Sequence, residues 1–163
     1  GKGLIRGIEF TAQKKISDSP FHGMLNVTYS EVYFWGLDGV KRPGSYDQRW
    51  IINFAAGVIF YKNWEFDVKF RFASGMPYTP FNSDGTQSAD NYNTGRMEDQ
   101  HSLDIRIDRE WKFDTWNLRT YLDIQNIYNH KVKSLIRWEK SENRIADDPV
   151  IGIIPSIGIS LEF

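Results

Sequence analysis

The sequence predicts an all-β fold, an antiparallel meander of about seven long strands, and three observations carry that prediction. Apolar and polar residues alternate at period two in one segment after another. The segments run to roughly 9–13 residues where an ordinary strand has ~5–6. The connections between them alternate in length, tight then long.

Segments 4–14 and 23–33 alternate least regularly, and the tight Ser17-Asp18-Ser19-Pro20 joins them. In the third segment Ile52, Phe54, Ala56, Val58 and Phe60 alternate with Asn53, Ala55 and Gly57, and Lys62-Asn63-Trp64 forms the next turn. The fourth is the cleanest: Phe66, Val68, Phe70 and Phe72 fall on one side, Glu65, Asp67, Lys69 and Arg71 on the other. Helical spacing would mix those two sets. Leu103, Ile105 and Ile107 alternate with Asp104, Arg106 and Asp108 in the fifth, which reaches the sixth through Asp114-Thr115-Trp116. There Leu118, Thr120, Leu122 and Ile124 oppose Arg119, Tyr121, Asp123 and Gln125. The seventh sorts Ile157, Ile159, Leu161 and Phe163 from Ser156, Gly158, Ser160 and Glu162. Residues 36–48, 80–100 and 130–154 are the long loops, all at one end of the expected sheet.

Composition narrows the class. The chain has 163 residues with 20 Lys plus Arg against 21 Asp plus Glu, a balance without the basic stripe that binds nucleic acid. No cysteine is present, which removes disulfides, thiolate metal sites and cysteine nucleophiles. Mean hydropathy is −0.50. That value suits a soluble protein, and it equally suits a transmembrane β-barrel, whose strands alternate lipid-facing with lumen-facing residues. The longest nearly apolar run, 51–61, is interrupted by Asn53 and is far short of the ~20 residues a membrane helix needs.

Strand length, loop asymmetry and aromatic placement select the barrel. A strand crossing a bilayer at a tilt near 45° needs ~9–11 residues, and outer-membrane barrels place short turns on the periplasmic side and long loops outside. Phe60, Tyr61, Trp64, Phe66, Trp111, Phe113, Trp116 and Phe163 gather at the short-turn end. Tyr33, Phe34, Trp35, Trp50, Tyr78 and Tyr128 gather at the long-loop end. Rings with an apolar body and a polar edge settle at lipid–water boundaries. Arg6, Lys14 and Arg109 share the lipid-facing parity, where a charge costs roughly 2–4 kcal/mol at mid-bilayer but little near an interface. Arg109, two residues from Trp111, is expected to reach the periplasmic headgroups.

Seven strands do not close such a barrel, because single-chain bacterial barrels have even strand numbers. The first strand would also leave an unpaired edge in lipid. Gly1-Lys2-Gly3-Leu4 lacks the pattern of a signal peptide. The expectation is that residues 1–163 form the C-terminal sector of a larger transmembrane β-barrel.

The ordered motifs carry a resemblance over nearly the whole chain. They are Gly3-Leu4-Ile5-Arg6-Gly7-Ile8-Glu9, Gln13-Lys14-Lys15, Val27-Thr28-Tyr29-Ser30, Ser74-Gly75-Met76-Pro77-Tyr78-Thr79-Pro80, Leu103-Asp104-Ile105-Arg106, Leu122-Asp123-Ile124-Gln125-Asn126-Ile127-Tyr128-Asn129 and Leu161-Glu162-Phe163. In this order they resemble the closing strands of TonB-dependent outer-membrane receptors. The resemblance implies a barrel of about 22 strands filled by a plug domain, of which these would be the last seven. It further implies residence in the bacterial outer membrane, uptake of a scarce solute, and partnership with the TonB energy-coupling complex. The barrel-assembly machinery would read the terminal Phe163. Plug, TonB-contacting segment and earlier strands are not in this sequence.

Candidate functional residues fall into two groups. Glu65, Asp67, Lys69, Arg71, Asp104, Arg106, Asp108, Arg119, Asp123 and Gln125 form an expected polar lumen wall, with cross-strand pairs worth about 0.2–1 kcal/mol each. That wall could guide a solute and the plug, and it also serves as a hydrated lattice that sets register. Tyr92, Tyr128 and Trp138 in the long loops are expected stacking surfaces for an outer-loop ligand, and 132–139 is expected to rise as a hairpin arm. Loop 80–100 carries Asp84, Asp90, Glu98 and Asp99 against Arg96 without calcium-loop spacing. No catalytic or metal site and no cofactor is expected. Asp104 and Asp108 lie about 13 Å apart along a strand, too far for a glycosidase pair. His22, His101 and His130, near a turn and in two loops, lack paired ligand spacing and read as surface residues. The sequon Asn26-Val27-Thr28 falls mid-strand, and no nucleophile elbow, phosphate loop or dinucleotide fingerprint occurs. The alternative to a membrane transporter is a soluble all-β module, a sandwich or lipocalin-like barrel holding an apolar ligand.

Overall fold

A computed structural model describes residues 1–132, 136–146 and 151–163. Its body is one antiparallel sheet whose continuous path is β1 (Lys2–Lys14), β2 (Phe21–Trp35), β3 (Trp50–Phe60), β4 (Trp64–Ala73), β5 (Gln100–Lys112), β6 (Asn117–Gln125) and β7 (Ile154–Glu162). Each strand pairs with its neighbour in sequence, the meander that period two and alternating connections predict. A short strand, Lys41–Pro43, folds back onto the end of β2. Pro77–Tyr78 with Gly95–Arg96, and Trp138–Glu139 with Arg144–Ile145, make two small hairpins in the loops. The expected arm at 132–139 is thus placed later in the chain; residues 133–135 of it lie outside the described residues.

Register explains why these strands stay together. Leu25, Phe54, Phe70 and Leu103 fall in one cross-strand row, followed by the rows Gly23, Ala56, Val68, Ile105, Ile124, Pro155 and Phe21, Val58, Phe66, Ile107, Leu122, Ile157. The intervening rows are polar, among them His22, Gly57, Asp67, Arg106, Asp123 and Ser156. A slip of one residue in any pair would move charges into the apolar rows, so the pattern fixes the pairing.

Burial is inverted relative to a globular domain. Among the described residues Val132, Ala146 and Pro77 are the buried apolar side chains, whereas Glu31, Asp47, Asn93, Asp104, Asp108 and Asn126 are buried. The apolar rows face outward: Phe10 is 57% and Ile157 81% exposed, and Phe54, Phe66 and Leu122 are exposed as well. The sheet is one layer, with β1 and β7 at the two ends of its path.

Tight turns lie at one end. Between β3 and β4 the turn uses Tyr61 and Lys62 at φ 44° and 59°, a conformation with φ above zero at both central positions that matches hairpin twist. Trp64 opens β4 rather than closing the turn. Lys2 pairs with Trp35 at the loop end, while Glu162 pairs with Asn117 at the turn end.

Candidate functional site

Alternation and register place the ten residues of the expected polar wall on one face of β4, β5 and β6. Lys69 stands opposite Asp104 and Asp67 opposite Arg106, while Glu65 meets Asp108, a like-charge pair. The side chains relieve that repulsion by choosing diagonal and same-strand partners. Arg71 Nη2 donates to Asp104 Oδ2 at 2.8 Å, and Arg106 donates through Nε and Nη2 to both oxygens of Asp108, at 2.6 and 2.7 Å. The Arg106 guanidinium lies 3.9 Å from the centre of the Tyr121 ring. Asp104 Oδ1 accepts the backbone N–H of Asn126 at 3.0 Å, which ties the end of β6 to β5. Asp104 and Asp108 are therefore each committed to their own arginine.

At the loop end the polar face opens into a recess of about 460 Å³ lined by Asn53, Arg71, His101, Gln125, Asn126 and His130. His101 lies within β5, not in a loop, and its ring stacks on His130 with centroids 3.7 Å apart. Tyr128 joins them through its hydroxyl, 2.7 Å from His101 Nδ1. This cluster is one the linear sequence did not bring together.

The three expected stacking residues fall in separate places. Tyr92 packs edge-on against Phe34 at 5.4 Å, with its hydroxyl 3.4 Å from Ser45. Trp138 packs against Phe81 at 5.7 Å and sits over Gly85, where a Cβ would come within 2.3 Å of its indole nitrogen. No contact joins these two to Tyr128 among the described residues. Acids of loop 80–100 hold its own fold: Asp84 accepts from Thr86 in a local turn, and Asp99 accepts from Gly75 N–H across the loop base. Hydrogen bonds from the Thr86 hydroxyl and N–H hold the Asp84 carboxyl below its usual range. Phe163 follows β7 and is exposed.

A residue that the sequence reading passed over organises the loop base. Asp47 is 0% exposed. Its Oδ1 accepts the Val32 N–H at 2.8 Å and its Oδ2 accepts Arg49 Nε at 2.9 Å and Arg96 Nη2. Burial, the largest single influence, pushes this carboxyl up. Val32, Arg49 and Arg96 together outweigh it and leave it below the ordinary value. Arg49 also reaches the Tyr33 hydroxyl at 2.9 Å, and Arg6 pairs with Glu31 at 2.6 Å. Asn93 donates to Pro43 O at 2.8 Å and joins the two loops beside this clamp.

At the turn end Arg109 lies over Trp111, with its guanidinium carbon 3.4 Å from the ring centre, and 5.0 Å from that of Trp64. Phe113 and Trp116 stack at 4.0 Å beyond it. Close by on the polar face, His22 of β2 meets Glu65 and Asp67 of β4.

Comparison of the chain with known protein families, curated proteins and solved structures found no match.

Proposed function

We propose that this sheet is a sector of a transmembrane β-barrel in a bacterial outer membrane, within a non-enzymatic TonB-dependent receptor that takes up a scarce solute. The observation that carries the membrane reading is the exposed apolar face, continuous across paired strands, opposite a face of paired charges. Contiguous exposed apolar surface on this scale needs an apolar neighbour. Lipid supplies it, and the polar face then lines the lumen. The edges of β1 and β7, unpaired among the described residues, would join further strands of the same barrel, because lipid offers their backbone groups no hydrogen bonds. Arg109 on its tryptophans fits a headgroup boundary.

The transport half of the reading rests on the ordered motifs and the resemblance they carry. In that reading outer loops capture the solute, the plug rearranges, and the TonB energy-coupling complex drives the step. The barrel-assembly machinery is the folding partner.

Fractionation tests the membrane half. The protein should sediment with outer membranes and require detergent to remain monomeric. A protein that stays soluble and monomeric without detergent, with its Phe66 and Phe70 face covered, overturns it in favour of the soluble binding module. The coding region upstream of Gly1 tests the transport half. A plug domain and about fifteen more alternating segments support it, and a signal peptide directly before Gly1 overturns it.

A further inference from the structure

At the turn end of the polar face two carboxylates converge without an arginine or lysine. Register sets His22, Gly57 and Asp67 in one row across β2, β3 and β4, with Glu65 two residues from Asp67 on the same face. Arg106, which stands opposite Asp67, is turned to Asp108 by its two hydrogen bonds. Glu65 faces Asp108, another acid. Among the described residues His22 is the only ion-pair partner of either Glu65 or Asp67. The local charge is thus negative, and a cation is the missing complement.

We propose that His22, Glu65 and Asp67 bind a divalent transition-metal cation of the zinc type, through one imidazole nitrogen and two carboxylate oxygens. His22 Nε2 lies 3.3 Å from Asp67 Oδ1 and 3.6 Å from Glu65 Oε1, and the three ligand atoms all fall within 4.8 Å of one another. A tetrahedral zinc with bonds of about 2.0–2.1 Å spaces neighbouring ligand atoms by about 3.3 Å. Both contacts exceed the 2.7–3.2 Å usual for N–H···O hydrogen bonds. His22 Nδ1 is enclosed and has no hydrogen-bond partner among the described residues, so no hydrogen bond holds the ring in another role.

Gly57 makes the space. A Cβ there would lie 2.1 Å from Asp67 Oδ1 and 2.5 Å from His22 Nε2, so any other residue would force the two ligands apart. The donor set selects the metal: calcium and magnesium take oxygen ligands, whereas imidazole nitrogen suits zinc and its neighbours. Three protein ligands leave a fourth position for water or a solute group. The site stands on the polar face alone and does not depend on the membrane or transport reading.

The test is titration of the folded protein in detergent with Zn²⁺ by calorimetry and with Co²⁺ by visible absorption. One Zn²⁺ per chain and the intense Co²⁺ bands of a four-coordinate site are expected. His22→Gln and Asp67→Asn should each weaken Zn²⁺ binding at least about tenfold. Gly57→Ala should do so with every ligand retained. If that variant fails to fold, the near-isosteric Asp67→Asn carries the test, with β-sheet circular dichroism as the check. His101→Gln, at the opposite end of the sheet, should bind as the parent does. Absence of Zn²⁺ uptake, unchanged affinity in His22→Gln, or loss confined to His101→Gln overturns the proposal.

Discussion

The two ends of this sheet treat carboxylates in opposite ways. At the loop end Asp47 is wholly enclosed, and a backbone N–H and two guanidinium groups saturate it. At the turn end Glu65 and Asp67 stay about one-third exposed and share a single histidine. A saturated buried charge can only hold structure, because any new ligand would first have to break existing hydrogen bonds. An under-partnered cluster can accept a ligand at little cost. The difference separates a clamp from a site.

The largest expected effect comes from breaking the clamp. Asp47→Asn removes the charge while keeping the shape, and leaves Arg49 and Arg96 facing a neutral amide. Hydrogen bonds to charged groups are worth about 1.5–3 kcal/mol, so hydrogen exchange at the Val32 and Gly44 amides should speed up roughly ten- to hundredfold. Both amides belong to the clamp: Val32 N–H donates to Asp47, and Gly44 N–H donates to Val32 O at 2.8 Å. The pH dependence has a definite sign. Because the folded carboxyl sits below its ordinary value, its stabilisation is complete above about pH 4 and is lost only as pH falls through the depressed value. Protection at Val32 should therefore be flat from neutral pH to about pH 5 and collapse in stronger acid. Zn²⁺ should leave it unchanged, and Zn²⁺-dependent protection at Val32 would erase the distinction between the ends.

Period two made the strands and both faces legible, because each strand has one apolar side whose mis-register would be costly. Pairing of β4 with β5 could be read from the loop that joins them, but a connection of that length does not set the register that places Lys69 opposite Asp104. Asp47 was not legible: it lies in a loop, and its partners Val32, Arg49 and Arg96 are gathered by the folding-back of Lys41–Pro43 and the pairing of Gly95–Arg96 with Pro77–Tyr78. His22 reads from the sequence as a surface residue because no partner lies at ligand spacing along the chain. Its carboxylates come from a strand two places away in the sheet, across a glycine whose importance appears only in three dimensions. Tyr92 and Trp138 were read as free ring surfaces, yet Phe34 and Phe81 already occupy one side of each.

A middle-sized effect is expected at Arg109, which is also at the turn end but on the apolar face. Its charge is matched by two rings instead of an acid, an arrangement worth about 0.5–2 kcal/mol that survives where water is scarce. Arg109→Gln should lower the denaturant midpoint by a corresponding amount. Arg109→Lys should recover only part, since an ammonium cannot stack flat on indole. Full recovery by lysine would mean that charge alone matters there.

The smallest effect is predicted for Arg71 and Asp104, which lie on the polar face below the clamp and combine features of both ends. Asp104 is nearly buried, like the clamp, but Arg71 is 45% exposed, so solvent and salt screen the pair. A double-mutant cycle of Arg71→Gln with Asp104→Asn should give a coupling of about 0.2–1 kcal/mol that shrinks as salt rises. Asp104→Asn alone should cost more than Arg71→Gln alone, because it also weakens the bond that Asn126 N–H makes to Oδ1. A salt-independent coupling as large as that of Asp47 with its arginines would make complete enclosure of the carboxylate unnecessary for a clamp, since Arg49 and Arg96 are themselves partly exposed. The contrast would then lie in hydrogen-bond saturation alone.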